Sequence, residues 1–208
     1  GEANAKTPET STLYAVQLQT LIKDWRTRWN QGNFAFAWVQ LPNFSAKKNA
    51  EGAWPTMRES MLRTLSVPNT GMAITIDIGD PDNIHPKNKQ EVGRRLALWA
   101  LGDVYKQDVP ATSGPLFTRS TTKGNRVTLS FSHADGGLVA KDGELRAFEI
   151  SGSDGKWHPA KAQIRKGRVI VSSPDVIQPV AVRYDWANNP NGNLYNAAGL
   201  PASPFRTR

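Results

Sequence analysis

The chain has 208 residues with 38% hydrophobic positions, seven Trp and seven Phe, enough for one sizeable domain or one domain and a smaller one. It has no cysteine, so disulfides, thiolate nucleophiles and Cys-based zinc sites are excluded, and no window approaches 18 apolar residues, which excludes a membrane-inserted helix. The net charge is +8, but the basic residues are dispersed. Residues 1–105 carry +2 and residues 106–208 carry +6, with IRKGR at Ile164–Arg168 as the densest run. That dispersion argues against a nucleic-acid footprint and fits long-range steering of acidic sugars.

In chain order, GEANAKTPET at the start is polar and has no signal-peptide core. Tyr14, Leu18, Leu21, Ile22, Trp25 and Trp29 fall at helical spacing, with Thr10 or Ser11 as cap and Gly32 beyond the end. Phe34–Leu41 (FAFAWVQL) is a continuous apolar run ended by Pro42, the pattern of a buried strand. Trp54, Met57, Met61, Leu62 and Leu65 mark a second helix, with Pro55 in its first turn. Gly71–Ile78 (GMAITIDI) is a second buried-strand pattern. Val92, Leu96, Trp99 and Ala100 give a third helix over about Pro86–Leu101, capped by Gly102. Helix–strand–helix–strand–helix implies a parallel sheet with covering helices.

A break is expected near Gln107–Gly114, dividing the chain into 1–106, α/β, and 107–208, β-rich. Candidate strands in the second part are Arg126–Ser132, Leu145–Ser151, Lys161–Ile164, Arg168–Ser172 and Pro179–Tyr184, separated by turn signals as in an antiparallel sheet or sandwich. The tail from Asn188 is rich in Asn, Pro and Gly. It also carries Leu194, Tyr195, Leu200 and Phe205, so it is expected to pack down as an ordered loop.

The segment from Asp77 to Pro86 gathers three carboxylates and one of only three histidines. It follows a buried strand and precedes a helix, the sheet edge at which α/β proteins bind ligands. Three residues separate Asp82 from His85. In a turn the carboxylate can reach one ring nitrogen and leave the other free to take a proton. Two other readings fit the same spacing: a solvated acidic loop with an incidental histidine, and a cation site built from Asp77, Asp80, Asp82 and His85. His133 and His158 lie in turn-like contexts. Of Arg94 and Arg95 on the third helix, one is expected to face solvent and the other to brace the acidic loop. No G-x-S-x-G or G-D-S motif occurs. Gly152–Ser153–Asp154 has the letters in another order.

Several segments together resemble the sialate O-acetylesterases, SGNH (GDSL-like) hydrolases: TIDIGDPDNIHPKNKQEVGRRLALWAL (Thr75–Leu101), VPNTG (Val67–Gly71), LIKDWRTRW (Leu21–Trp29), GEANA (Gly1–Ala5) and NLYNAAGLPASPFRT (Asn193–Thr207). The resemblance implies part of a flavodoxin-like parallel sheet followed by an antiparallel β-rich subdomain. It implies removal of O-acetyl groups from sialic acids by a Ser-His-Asp triad without metal or organic cofactor. Asp82 and His85 would be the acid and base, with Glu2 and Asn4 as oxyanion or substrate contacts. The family's serine block lies upstream of the glycine–glutamate block, and no nucleophile is assigned here. The chain alone is therefore expected to turn over little substrate. Self-association or complementation by the upstream part is expected to complete the sheet. The resemblance also implies a bacterial protein of the periplasm or exterior. The competing expectation is a non-catalytic carbohydrate-binding scaffold using Trp157, Tyr184 and Trp186 for stacking.

Overall fold

The computed structural model describes residues 1–207 and divides into two compact units. The first is Gly1–Thr112 with Ala187–Asn189, and the second is Ser113–Trp186 with the chain from Pro190 onward.

In the first unit, α1 (Pro8–Trp29) starts one turn earlier than the apolar spacing indicates. Thr7 is its cap: the Thr7 and Thr10 side chains each accept a bond from the other's backbone N–H. Ser11 is therefore no cap. It is buried and donates to the Ala53 carbonyl at 2.9 Å. Asn30, in the left-handed region at φ 50°, ends the helix ahead of Gly32. The buried stripe of α1 is Ser11, Leu18, Ile22 and Arg26. Arg26 enters it because its guanidinium is satisfied by the carbonyls of Phe34, Pro68 and Asn69.

β1 (Phe36–Val39) and β2 (Thr70–Ala73) pair in parallel, Phe36 opposite Thr70 and Val39 opposite Ala73. Both are shorter than their apolar runs. After Ala73 the chain turns, Ile78 N–H donating to the Thr75 carbonyl, so Ile74–Ile78 serve the sheet's exit. Among the described residues β1 pairs with β2 alone. Its flank carries Trp25 and Trp29, stacked at 5.9 Å, and Phe34 and Phe36 against them.

α2 (Ala53–Arg63) is buried at every position from Ala53 to Met61 and packs along α1. α3 (Lys89–Trp99) is capped by Asn88, which accepts from Glu91 N–H, and packs on β2 and β1. Gly71 makes that contact: a Cβ there would lie 2.2 Å from the Trp99 ring. α3 runs into a π turn, Ala100–Val104, with Gly102 inside it, so Gly102 is not a cap.

The second unit is a β-sandwich. One sheet has the order β3 (Leu116–Lys123), β4 (Arg126–Ser132), β9 (Arg168–Ser172), β8 (Lys161–Arg165). The other has β12 (Phe205–Arg206), β10 (Ala181–Tyr184), β6 (Phe148–Ser151), β7 (Trp157–Pro159). A two-stranded ribbon pairs β5 (Leu138–Ala140) with β11 (Leu194–Asn196). Alternate residues of both sheets fill one core: Val127 and Leu129, Val169 and Val171, Phe148 and Ile150, Val182 and Tyr184. Leu194, Leu200 and Phe205 are at most 2% exposed, so the tail packs down and contributes strands. Among the described residues no helix is long and apolar enough to cross a membrane.

Candidate functional site

Because β1 and β2 are parallel, their exit loops emerge at the same end of the sheet, where ligands of α/β folds bind. They are stitched together there. Gln40 N–H donates to the Ala73 carbonyl and Thr75 Oγ1 to the Gln40 carbonyl. Gly79 N–H donates to Asn43 Oδ1 at 2.7 Å, and Ser45 N–H to the Pro81 carbonyl at 3.0 Å. Gly79 allows this approach, since a Cβ would stand 2.0 Å from the Asn43 carbonyl oxygen.

The loop after β2 is a chain of small turns. Asp80 Oδ1 accepts the N–H groups of Asp82 and Asn83, and Asn83 Oδ1 accepts that of His85. Asp80 thus spends its carboxylate on the backbone, leaving Asp82 and His85 exposed on the loop. Pro86, directly after His85, is buried and fixes the segment before α3. Among the described residues, neither the Asp82 carboxylate nor the His85 imidazole carries a hydrogen bond, and the two are not bonded to each other.

Arg95 braces the root of this loop and Arg94 faces solvent. Arg95, 6% exposed, forks onto Asp77 at 2.6 and 2.9 Å, bonds Glu91 at 2.8 Å and reaches the Ile74 carbonyl. Glu91, bonded by Arg94 and also by Arg95, has its carboxyl lowered to about 2 despite partial burial. A carboxyl depressed from 4.5 stabilises the fold above its unfolded value, and the contribution disappears as pH falls from 4.5 through about 2. Discounted for solvent at half-exposed Arg94, its size is on the order of 2 kcal/mol. Glu91→Gln should flatten the acid limb of stability between these pH values. Denaturant midpoints at neutral pH and near pH 3 measure it, and an unchanged acid slope would refute the assignment.

The loop after β1 also ties in the chain's start. Asn49 Nδ2 donates to the Ala5 carbonyl, and Ala50 N–H to that of Lys6. Asn4 donates its side-chain amide to Gln17 at 3.0 Å, and Glu2 is exposed. The structure therefore places the Glu2–Asn4 turn, the 43–50 loop and the Asp82–His85 loop in sequence along one rim, with the 43–50 loop between the other two. It brings no side chain of the first onto those of the last.

The same loop hangs on Arg58, which is fully buried. Its guanidinium donates to the carbonyls of Leu41, Pro42, Ala187 and Asn188. The Asn188 carbonyl in turn accepts from Phe44 N–H, and Asn189 Oδ1 accepts from Asn43. Arg58, Asn43 and Asp80 carry no motif. The signal available for them was a lone arginine on an apolar helix face and polar residues just past a buried strand.

Elsewhere, His133 lends its carbonyl to Asn196, and His158 lies in β7 opposite Ile150. Tyr184, at 1% exposure, belongs to the core, and its hydroxyl accepts from Leu194 N–H, so it offers no stacking face. Arg183 covers Trp157 at 4.5 Å and Arg206 covers Trp186 at 4.8 Å. Of the three rings proposed for stacking, Tyr184 is thus ruled out by burial, and Trp157 and Trp186 each carry an arginine over one face. Among the described residues no three His, Asp or Glu side chains come together so as to hold a metal ion.

Residues 1–101 match the family described as carbohydrate esterase, sialic acid-specific acetylesterase. Over 99% of its length the chain is 28% identical to mouse sialate O-acetylesterase and 29% identical to the human enzyme, covering 42% and 44% of those proteins. The crystal structure of a carbohydrate acetylesterase from Xanthomonas citri superimposes on the whole chain with a TM-score of 0.94 at 42% identity, and the chain covers 49% of that protein. The chain thus spans about half the length of the relatives it matches.

Proposed function

From the match of residues 1–101 to the family of sialic acid-specific carbohydrate acetylesterases we propose that the protein is a carbohydrate O-acetylesterase acting on an O-acetylated sialic acid. The observation that supports it most is the position of Asp82 and His85. Both stand exposed on the exit loop of a parallel strand, inside the matched segment.

His85 takes the proton of a serine hydroxyl as its oxygen attacks the acetyl carbonyl. It returns that proton to the departing sugar oxygen, then activates the water that frees acetate. Asp82 orients the imidazole and stabilises its protonated form. Their side chains carry no competing hydrogen bonds, which leaves both free to pair as substrate binds. The serine comes from outside this sequence. In this reading Glu2 and Asn4, whose segment is tied to the 43–50 loop, support the oxyanion or the sugar. A strand from the same outside segment fits the open edge of β1, beside which the exposed Trp25 and Trp29 of α1 are suited to being covered. The same family reading puts the protein in the periplasm or outside a bacterial cell.

The test is hydrolysis of p-nitrophenyl acetate and of O-acetylated sialic acid by this chain and by a form extended upstream in its reading frame. The extended form should be active, His85→Ala should abolish turnover, and Asp82→Asn should lower kcat by up to about 10⁴-fold. Full activity of either variant, or enzyme-like turnover by the 208-residue chain alone, would overturn this mechanism.

A further inference from the structure

Beside the Asp82–His85 loop the rim holds a second feature. Between the two exit loops lies a cavity of about 360 Å³, lined by Phe44, Lys47, Lys48, Asn49, Pro81 and Asp82 among others. Its size sits at the low end of small-molecule sites, about 300–1,000 Å³, which suits one monosaccharide. Both lysines are exposed, and among the described residues neither ammonium forms an ion pair or hydrogen bond.

Their backbone is nonetheless fixed. Ser45 before them bonds the Pro81 carbonyl, and Asn49 and Ala50 after them bond Ala5 and Lys6. Ala46, buried immediately before Lys47, is held at φ 46°, a left-handed conformation a non-glycine residue keeps only when its surroundings impose it. A clamped loop thus holds two unpaired cations in the lining of a cavity that the candidate catalytic carboxylate, Asp82, also lines.

We propose that Lys47 and Lys48 form an anion subsite, which selects sugars bearing a carboxylate and sets the acetyl ester toward the Asp82–His85 loop. This deepens the function proposed above and rests on it. The lysines also offset the repulsion between Asp82 and an incoming anion. Two solvent-facing ammonium–carboxylate contacts give a preference of roughly ten-fold.

The experiment measures binding of N-acetylneuraminate and of the neutral N-acetylmannosamine to the 208-residue chain by NMR titration. It uses wild type, Lys47→Gln/Lys48→Gln and Lys47→Arg/Lys48→Arg, with melting temperatures as the folding control. The expected result is about ten-fold tighter binding of the acid by wild type, loss of that preference in the Gln variant and its retention in the Arg variant. Equal binding of both sugars by wild type, binding of neither, or a preference that survives in the Gln variant would overturn the subsite. The esterase reading is read separately, from His85-dependent hydrolysis of p-nitrophenyl acetate by the extended form. A chain that prefers the acid but gives no such hydrolysis keeps the subsite and loses the catalytic reading. The reverse result does the opposite.

Discussion

Arg58→Met is expected to destabilise the first unit by about 3–5 kcal/mol, lowering its melting temperature by roughly 10 °C. Methionine fills much of the same space but donates nothing. The carbonyls of Leu41, Pro42, Ala187 and Asn188 would each lose a charge-assisted donor inside the protein, where water does not replace it. The damage reaches the rim, because Asn188 also receives Phe44 and bonds Ser45. Thermal unfolding followed by tryptophan fluorescence, with Trp54 at 1% exposure as a buried reporter, measures the loss. A midpoint within about 2 °C of wild type would show that these carbonyls find other partners.

Arg95→Met should cost about 2–4 kcal/mol and also loosen the Asp82–His85 loop. Asp77 loses both arms of its fork, and the Ile74 carbonyl loses its donor at the point where the chain leaves the sheet. In the extended form, kcat should fall while the affinity for product sugar changes little, since Arg95 lies behind the loop and not in the cavity. A double-mutant cycle with Asp77→Asn separates the pair from general damage. Removing both partners should be less harmful than the sum of the single losses by about 1–3 kcal/mol. Additivity within about 0.5 kcal/mol would mean the fork is not what holds the loop.

The helices and the strands of the second unit were legible where apolar spacing is simple. Arg126–Ser132 and Arg168–Ser172 were delimited correctly, because alternating valines and leucines between turn signals leave little choice. β3 was not legible. It is largely exposed, its residues Thr118–Lys123 are polar, and its pairing is dictated by the hairpin to β4. The face of α1 was misjudged for a related reason. Hydrophobicity selected Leu21, Trp25 and Trp29, which are 41%, 44% and 59% exposed. The buried stripe instead includes Ser11 and Arg26, whose polar groups are satisfied by carbonyls distant in sequence. At the rim, spacing located the loop with Asp82 and His85. It did not reveal that Asp80 organises the turn, nor that Lys47 and Lys48 share a cavity with Asp82, since both depend on the register of β1 against β2.

The grip of Arg58 on Ala187 and Asn188 spans 129 and 130 residues of sequence. During synthesis the first unit emerges long before these carbonyls do. At about 5–20 residues per second the ribosome needs on the order of ten seconds to deliver them. Throughout that interval Arg58 can bond the Leu41 and Pro42 carbonyls, while its bonds to Ala187 and Asn188 wait. The last bonds of the first unit are therefore timed by the arrival of a three-residue segment, Ala187–Asn189, made after most of the sandwich.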